Sequence, residues 1–292
     1  AENDVDYIAA SFIQSADDIY KMREILIEND VNIPIIAKIE NKAGVENLEE
    51  IVSAADGIMV ARGDMGVELP LADVPATQKS IIRTTVSNGK PVITATQMLA
   101  SMERNPKPTR AEASDVANAI LDGTSAVMLS GETAVGKYPV EAISTMATIT
   151  RRAESSLKEY GYLQRIVPNP SHIVTEAVGQ AAVSMSDHLK AAAIISLTET
   201  GFTSRLISKY RPGIPILALT SSEMVARKLA MNWGVIPILY EGEPSDLKRL
   251  NFAVKRARES GYLKAGDIVV STSGHHQQAG GTDLIRVVTL EE

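Results

Sequence analysis

The chain has 292 residues, room for about two domains of ordinary size. It is 45% hydrophobic and 22% charged, so it can bury a sizeable core. Its net charge of −7 is spread over 29 basic and 36 acidic side chains with no basic stripe and 4% aromatics, which argues against a nucleic-acid surface. Cysteine is absent, so disulfides and thiolate metal sites are excluded. The sequence has neither a long uncharged apolar run nor a signal-like start, so no membrane contact is expected and a cytoplasmic location is.

Short apolar runs alternate with amphipathic stretches from the start. Strands are predicted over Tyr7–Phe12, Pro34–Ile39, Gly57–Ala61, Pro91–Ala95 and Ser125–Leu129. Helical patterns follow, among them Ser15–Glu28, Asn41–Ala54 and Pro139–Leu157. Thr109-Arg110-Ala111-Glu112 reads as a capping box opening another helix. Residues 161–170 read as a linker, because they hold glycine and two prolines without periodicity.

A second α/β pattern begins beyond the linker. Its helices are expected over His172–Met185, Thr203–Tyr210, Ser222–Met231 and Asp246–Ser260. Its strands are expected over Ala192–Leu197, Pro215–Thr220, Val235–Leu239, Asp267–Ser271 and Leu284–Thr289. This predicts one α/β domain over 1–160 and a smaller α/β domain over 171–292 with a mostly parallel sheet. Five βα units fit either an open sheet or part of an eight-stranded (β/α)8 barrel.

The strands of the first half end in polar residues: Ser11, Lys38 with Glu40, Arg62-Gly63-Asp64, Thr94 with Thr96, and Ser130-Gly131-Glu132. In parallel α/β proteins the carboxyl ends of the strands carry the site. Lys38 and Glu40 alternate onto one face, either as a structural ion pair or as a cation and carboxylate meeting a ligand. Gly63 and Gly66 flank Asp64 at a turn, an ordinary Gly-Asp turn or an anion-binding one. Asp64 could join Glu40 as a second oxygen ligand of one Mg2+. Thr94 and Thr96 place two hydroxyls on one face of the fourth strand, either as ordinary strand threonines or as site hydroxyls. All four histidines lie outside this half, which disfavours zinc hydrolysis.

The runs IIAKIENKAGVENLEEI, DGIMVARGDMGVELP, GKPVITATQML and NPKPTRAEASDVANAILDGTSAVMLSGETAVGKYP resemble the pyruvate kinase family, in the right order through residue 158. The resemblance implies a partial (β/α)8 barrel followed by a regulatory α/β domain. It implies phosphoryl transfer from phosphoenolpyruvate to ADP, giving pyruvate and ATP. Lys38 would stabilise the transferring phosphoryl group and the enolate oxygen. Glu40 and Asp64 would hold Mg2+ or Mn2+, and the N–H groups of Gly63 and Asp64 the substrate carboxylate. Thr96 would sit beside the carbon that is protonated, with Ser130 and Glu132 in support. The family's first barrel strands, lid domain and most ligands of its K+ would lie outside this sequence, so a partial chain of low activity by itself is expected.

In the second half, Thr198, Thr200, Gly201 and Thr203 follow a strand and open a helix, and Gly280 and Gly281 form a second glycine-rich loop. Both fit Ser/Thr-capped turns. By resemblance they form the two walls of a sugar-phosphate or nucleotide effector pocket. His275 and His276 depart from the family's pattern there. A homo-oligomer, a tetramer in the family, is expected. The alternative function is a non-catalytic phosphate-effector binding module. A metal-dependent barrel lyase acting on pyruvate fits less of the chain.

Overall fold

A computed structural model of the chain describes residues 4–161, 166, 172–274 and 280–291. Its contacts divide into two units, Ala1–Ile166 and Val167–Glu292.

The first unit is a run of βα repeats. In chain order they begin with β1 (Ile8–Ala10), α1 (Ala16–Glu28), β2 (Ile35–Ile39), α2 (Lys42–Glu46), α3 (Leu48–Ala54) and β3 (Gly57–Ala61). Next come α4 (Arg62–Glu68), α5 (Val74–Ser87), β4 (Val92–Ala95), α6 (Arg110–Leu121) and β5 (Ala126–Met128). The unit closes with α7 (Gly131–Ala134), α8 (Pro139–Glu154) and α9 (Leu157–Tyr160). Ile35, Ala37 and Ile39 are fully buried, and so is their neighbour Ile36, so β2 is apolar on both faces. That is the composition of a parallel strand covered from both sides. The order is β1-β2-β3-β4-β5, and every pairing is parallel. Adjacent strands therefore follow one another in sequence, as in a barrel wall, and all carboxyl ends lie along one rim.

The strands pack closely where they begin. A Cβ on Gly57 would lie 2.6 Å from Ile36 Cδ1 and 2.9 Å from the Pro91 carbonyl oxygen. Two local features differ from the sequence expectation. The helix expected over 41–54 breaks at Asn47, which ends α2 and precedes α3. Its amide donates to the Gln14 carbonyl at 2.8 Å, so a tertiary hydrogen bond occupies the junction. The turn expected at Asp64 is instead the first turn of α4.

The second unit contains α10 (Ile173–Leu189), β6 (Ala193–Leu197), α11 (Phe202–Lys209), β7 (Ile216–Thr220), α12 (Glu223–Leu229) and β8 (Val235–Leu239). It ends with α13 (Asp246–Glu259), β9 (Ile268–Gly274) and β10 (Thr282–Thr289). The sheet order is β10-β9-β6-β7-β8. Only the β9–β10 pair among these strands is antiparallel. Strand alternation sends neighbouring side chains to opposite layers. Ile195, Leu217 and Leu219 pack with Leu250, Ala253 and Ala257 of α13. Ile194, Ile216 and Ala218 pack with Ile207 of α11 and Leu229 of α12.

Between α10 and α11 lies a fully buried ion pair: Lys209 Nζ is 2.6 Å from Glu176 Oε1, with both side chains at most 1% exposed. The Tyr210 hydroxyl donates to Glu176 Oε2 at 2.7 Å. Burial first, and then this hydrogen bond to a carboxylate, push the Tyr210 hydroxyl well above the ordinary tyrosine range. Among the described residues, no helix is long and apolar enough to cross a membrane.

Candidate active site

Lys38 lies in β2 and Glu40 one residue past its end. Ile39 between them is core, so the two charged groups share the other side of the chain. Lys38 Nζ is 2.6 Å from Glu40 Oε1 and donates to Ser11 Oγ, just past β1, at 2.7 Å. The Phe12 N–H donates to Glu40 Oε2 at 2.7 Å. Glu40 is 1% exposed, and these two donors are what make a buried carboxylate tolerable there. The Lys38 side chain keeps 23% exposure, so its ammonium stands at the rim with open space beside it.

β3 delivers the next group. Its last residue, Ala61, leads straight into α4, and the Gly63 N–H donates to Thr96 Oγ1 at 2.8 Å. A Cβ on Gly63 would come within 3.4 Å of that same oxygen, so glycine is what lets the two loops lie this close. Asp64 is exposed, and its carboxylate makes no hydrogen bond or ion pair among the described residues.

The third contribution follows β4. Thr96 and Gln97 both have left-handed backbones, with φ of 71° and 52°. A β-branched residue rarely adopts that conformation, and the strain is held by the surroundings. Thr94 and Thr96 therefore do not share a strand face. The strand ends at Ala95, Thr94 donates to Thr124 Oγ1 at 2.9 Å in the interior, and Thr96 turns to meet Gly63. Arg62 braces this turn, with Nη2 donating to the Thr96 carbonyl at 2.7 Å and Nη1 lying 2.6 Å from Asp115 Oδ2 of α6.

Glu132, 1% exposed in α7 just beyond β5, accepts from the Leu99 N–H at 3.0 Å and the Ser130 N–H at 2.8 Å. It thereby fastens the loop after β4 to the loop after β5. Glu112 accepts from the N–H and hydroxyl of Ser101 and of Thr109. Burial alone would raise its carboxyl, but these donors outweigh it and hold the group below the ordinary glutamate range. Among the described residues no cluster of three His, Asp or Glu stands ready to hold a metal. Glu40 and Asp64 supply hard oxygens from neighbouring strand ends, a donor set that suits Mg2+ or Mn2+ completed by substrate and water.

In the second unit the two expected walls meet. Gly201, with φ of 78°, precedes α11 and donates its N–H to Thr198 Oγ1 at 3.0 Å. The Thr203 hydroxyl pairs with that of Thr282 at the start of β10. Thr175 donates to the Gly280 carbonyl at 2.6 Å, and Gly281 lies against Gly274. Thr198 and Thr203 are buried, and Thr200 is exposed between them. The Thr175 and Thr282 contributions were missed in sequence, since neither stands in a motif. His275 and His276 lie outside the described residues.

Parallel strands in sequential order, with a cation and carboxylates gathered at their carboxyl rim, define the α/β barrel class, here joined to a second α/β unit. The family model for the barrel domain of pyruvate kinase matches residues 1–143, and that for its alpha/beta domain matches residues 176–288. The chain is 48% identical to a pyruvate kinase of Clostridium acetobutylicum over 99% of its own length and 62% of the relative's. It is 48% identical to one from Bacillus licheniformis and 49% identical to one from Geobacillus stearothermophilus, in each case over 99% of its own length. The chain belongs to the pyruvate kinase family. It spans 62%, 50% and 49% of the lengths of these three relatives.

Proposed function

We propose that the rim of the first unit is the phosphoryl-transfer site of a pyruvate kinase. Phosphoenolpyruvate loses its phosphoryl group to a terminal oxygen of ADP, and the enolate left behind takes a proton at carbon to become pyruvate. The observation that carries this reading is the Lys38 ammonium, fixed between Ser11 and Glu40 at the strand ends with one side open. Charge developing on phosphoryl and enolate oxygens is met there by a preorganised cation.

Glu40 and Asp64 would hold Mg2+ or Mn2+. Asp64 is free to do so, and Glu40 would exchange its Lys38 contact for the metal. When bound, the ion supplies further positive charge to the phosphoryl oxygens. K+ is expected beside it from the family. The N–H groups of Gly63 and Asp64 would take the substrate carboxylate, replacing the Thr96 hydroxyl on Gly63. Thr96, released toward the substrate, would stand beside the carbon that gains the proton.

The second unit is read as regulatory. Thr198, Thr200, Gly201, Thr203, Gly280 and Gly281 would bind a phosphorylated effector, a sugar phosphate or a nucleotide, supported by the meeting of the two loops at Thr203 and Thr282. A homo-oligomer and a cytoplasmic location accompany this reading.

The test is pyruvate formation from phosphoenolpyruvate and ADP with Mg2+ and K+, coupled to lactate dehydrogenase. Turnover should fall by about a thousandfold in Lys38→Met, the scale of losing one preorganised charge-stabilising group. A parent rate well above background that Lys38→Met leaves unchanged would refute the assignment of Lys38, whereas no activity in either protein would mark the chain as an incomplete enzyme.

A further inference from the structure

We infer that Arg62 is a positioning residue, whose guanidinium holds Thr96 in its left-handed conformation and so aims the Thr96 hydroxyl at the first turn of α4. The proposed reaction gives that hydroxyl its purpose, and the inference rests on that reading for its meaning but not for its test.

The argument starts from strain. Two consecutive non-glycine residues, Thr96 and Gln97, are held at positive φ. Each such conformation is strained and persists only where neighbours over-determine it. The neighbour that does so is Arg62. Its Nη2 donates to the Thr96 carbonyl at 2.7 Å and approaches Met98 sulfur at 2.8 Å. Its Nη1 is bound to Asp115 of α6 at 2.6 Å and lies 3.5 Å from Gln78 Oε1 of α5.

The fork thus grips both ends of the Thr96–Met98 turn and is itself anchored in two helices. Only a planar guanidinium spans these acceptors at once, whereas an ammonium can satisfy one or two. The side chain is 10% exposed, so water cannot replace the lost contacts easily.

The readout is the neighbouring amide. Gly63 N–H is bonded to Thr96 Oγ1 and directly follows Arg62, so its protection from hydrogen exchange reports where the Thr96 hydroxyl points. Amide exchange is measured by NMR on the full chain and on Arg62→Lys, alongside thermal melting.

Arg62→Lys keeps a cation for Asp115. We expect Gly63 exchange to accelerate about tenfold or more, the scale of losing the charge-assisted bond from Arg62 to the Thr96 carbonyl, with Met59 and Val60 in β3 unchanged. Unchanged protection at Gly63 would overturn the inference. So would acceleration spread evenly over β3 and α4, the mark of a merely structural residue.

Should Arg62→Lys fail to fold, Asp115→Asn carries the test. It loosens the anchor while leaving the fork, and selective acceleration at Gly63 is again the supporting result and its absence the refuting one. Exchange of pyruvate methyl protons in D2O, read on the same samples, fails separately. A parent chain without that exchange removes the reading of the rim as a working site in this chain and leaves the amide signature standing.

Discussion

Glu112 shows how one side chain can serve two elements. As the third residue of α6 it closes the capping box on Thr109, and with its remaining capacity it also secures Ser101, eleven residues before it. Its carboxyl is held below the ordinary range in the fold. The folded state therefore binds its proton less readily than the unfolded chain, and the contribution to stability is fully present above the ordinary glutamate range. It is lost as pH falls through the lowered folded value. Glu112→Gln should melt below the parent at neutral pH, and the gap should close in acid; a gap constant with pH would contradict this. The Thr109-x-x-Glu112 half of the arrangement was legible in sequence, because capping is local and has a fixed spacing. The Ser101 half was not, since it depends on where the preceding loop returns. The same division separates Lys38 from Thr96. Strand alternation put Lys38 beside Glu40 from sequence alone, while the left-handed turn that removes Thr96 from its strand has no glycine to announce it.

Helix ends carry much of the stability at the next scale. Lys90, in the approach to β4, donates from Nζ to the carbonyls of Val52, Ser53 and Ala55 at 2.6, 2.8 and 2.7 Å, covering the carboxyl end of α3. A cation there answers both the open carbonyls and the helix dipole. Lys90→Met should cost about 2 kcal/mol in a denaturant titration, whereas removing exposed Lys42, paired with Glu46 at the surface, should cost a small fraction of that. The strands themselves were the most legible elements. Gly57–Ala61 and Val235–Leu239 fall where expected because apolar runs bounded by turn residues have few other solutions. Helix boundaries were less so. The break between α2 and α3 follows from Asn47 reaching Gln14, and α4 from the chain turning directly after Ala61. Neither is written in local periodicity.

At the scale of the molecule the described residues form two sheets, each with its own buried cluster. Ile81, Ile82 and Ile58 belong to one, and Leu217, Leu219 and Leu250 to another. Calorimetry should therefore resolve two transitions. Ile81→Ala should lower one and Leu217→Ala the other, each by about 3 kcal/mol for a buried aliphatic truncation. A single transition moved equally by both would show that the units unfold together. The parallel first sheet and the mostly parallel second one followed from the βα rhythm, but strand order in the second did not. β9 and β10 close the sheet on the far side of β6, a choice made by tertiary packing.

The Glu176–Lys209 pair has a consequence for how α10 finds its place. An ion pair hidden this completely adds little net stability, since desolvation offsets most of the attraction. What it does forbid is error. A slip of α10 along α11 by one turn, about 5.4 Å, would leave a bare ammonium and a bare carboxylate in an apolar interior. Greasy helix faces tolerate many alignments, but this one is keyed, and the chain can search wrong dockings without settling into any of them.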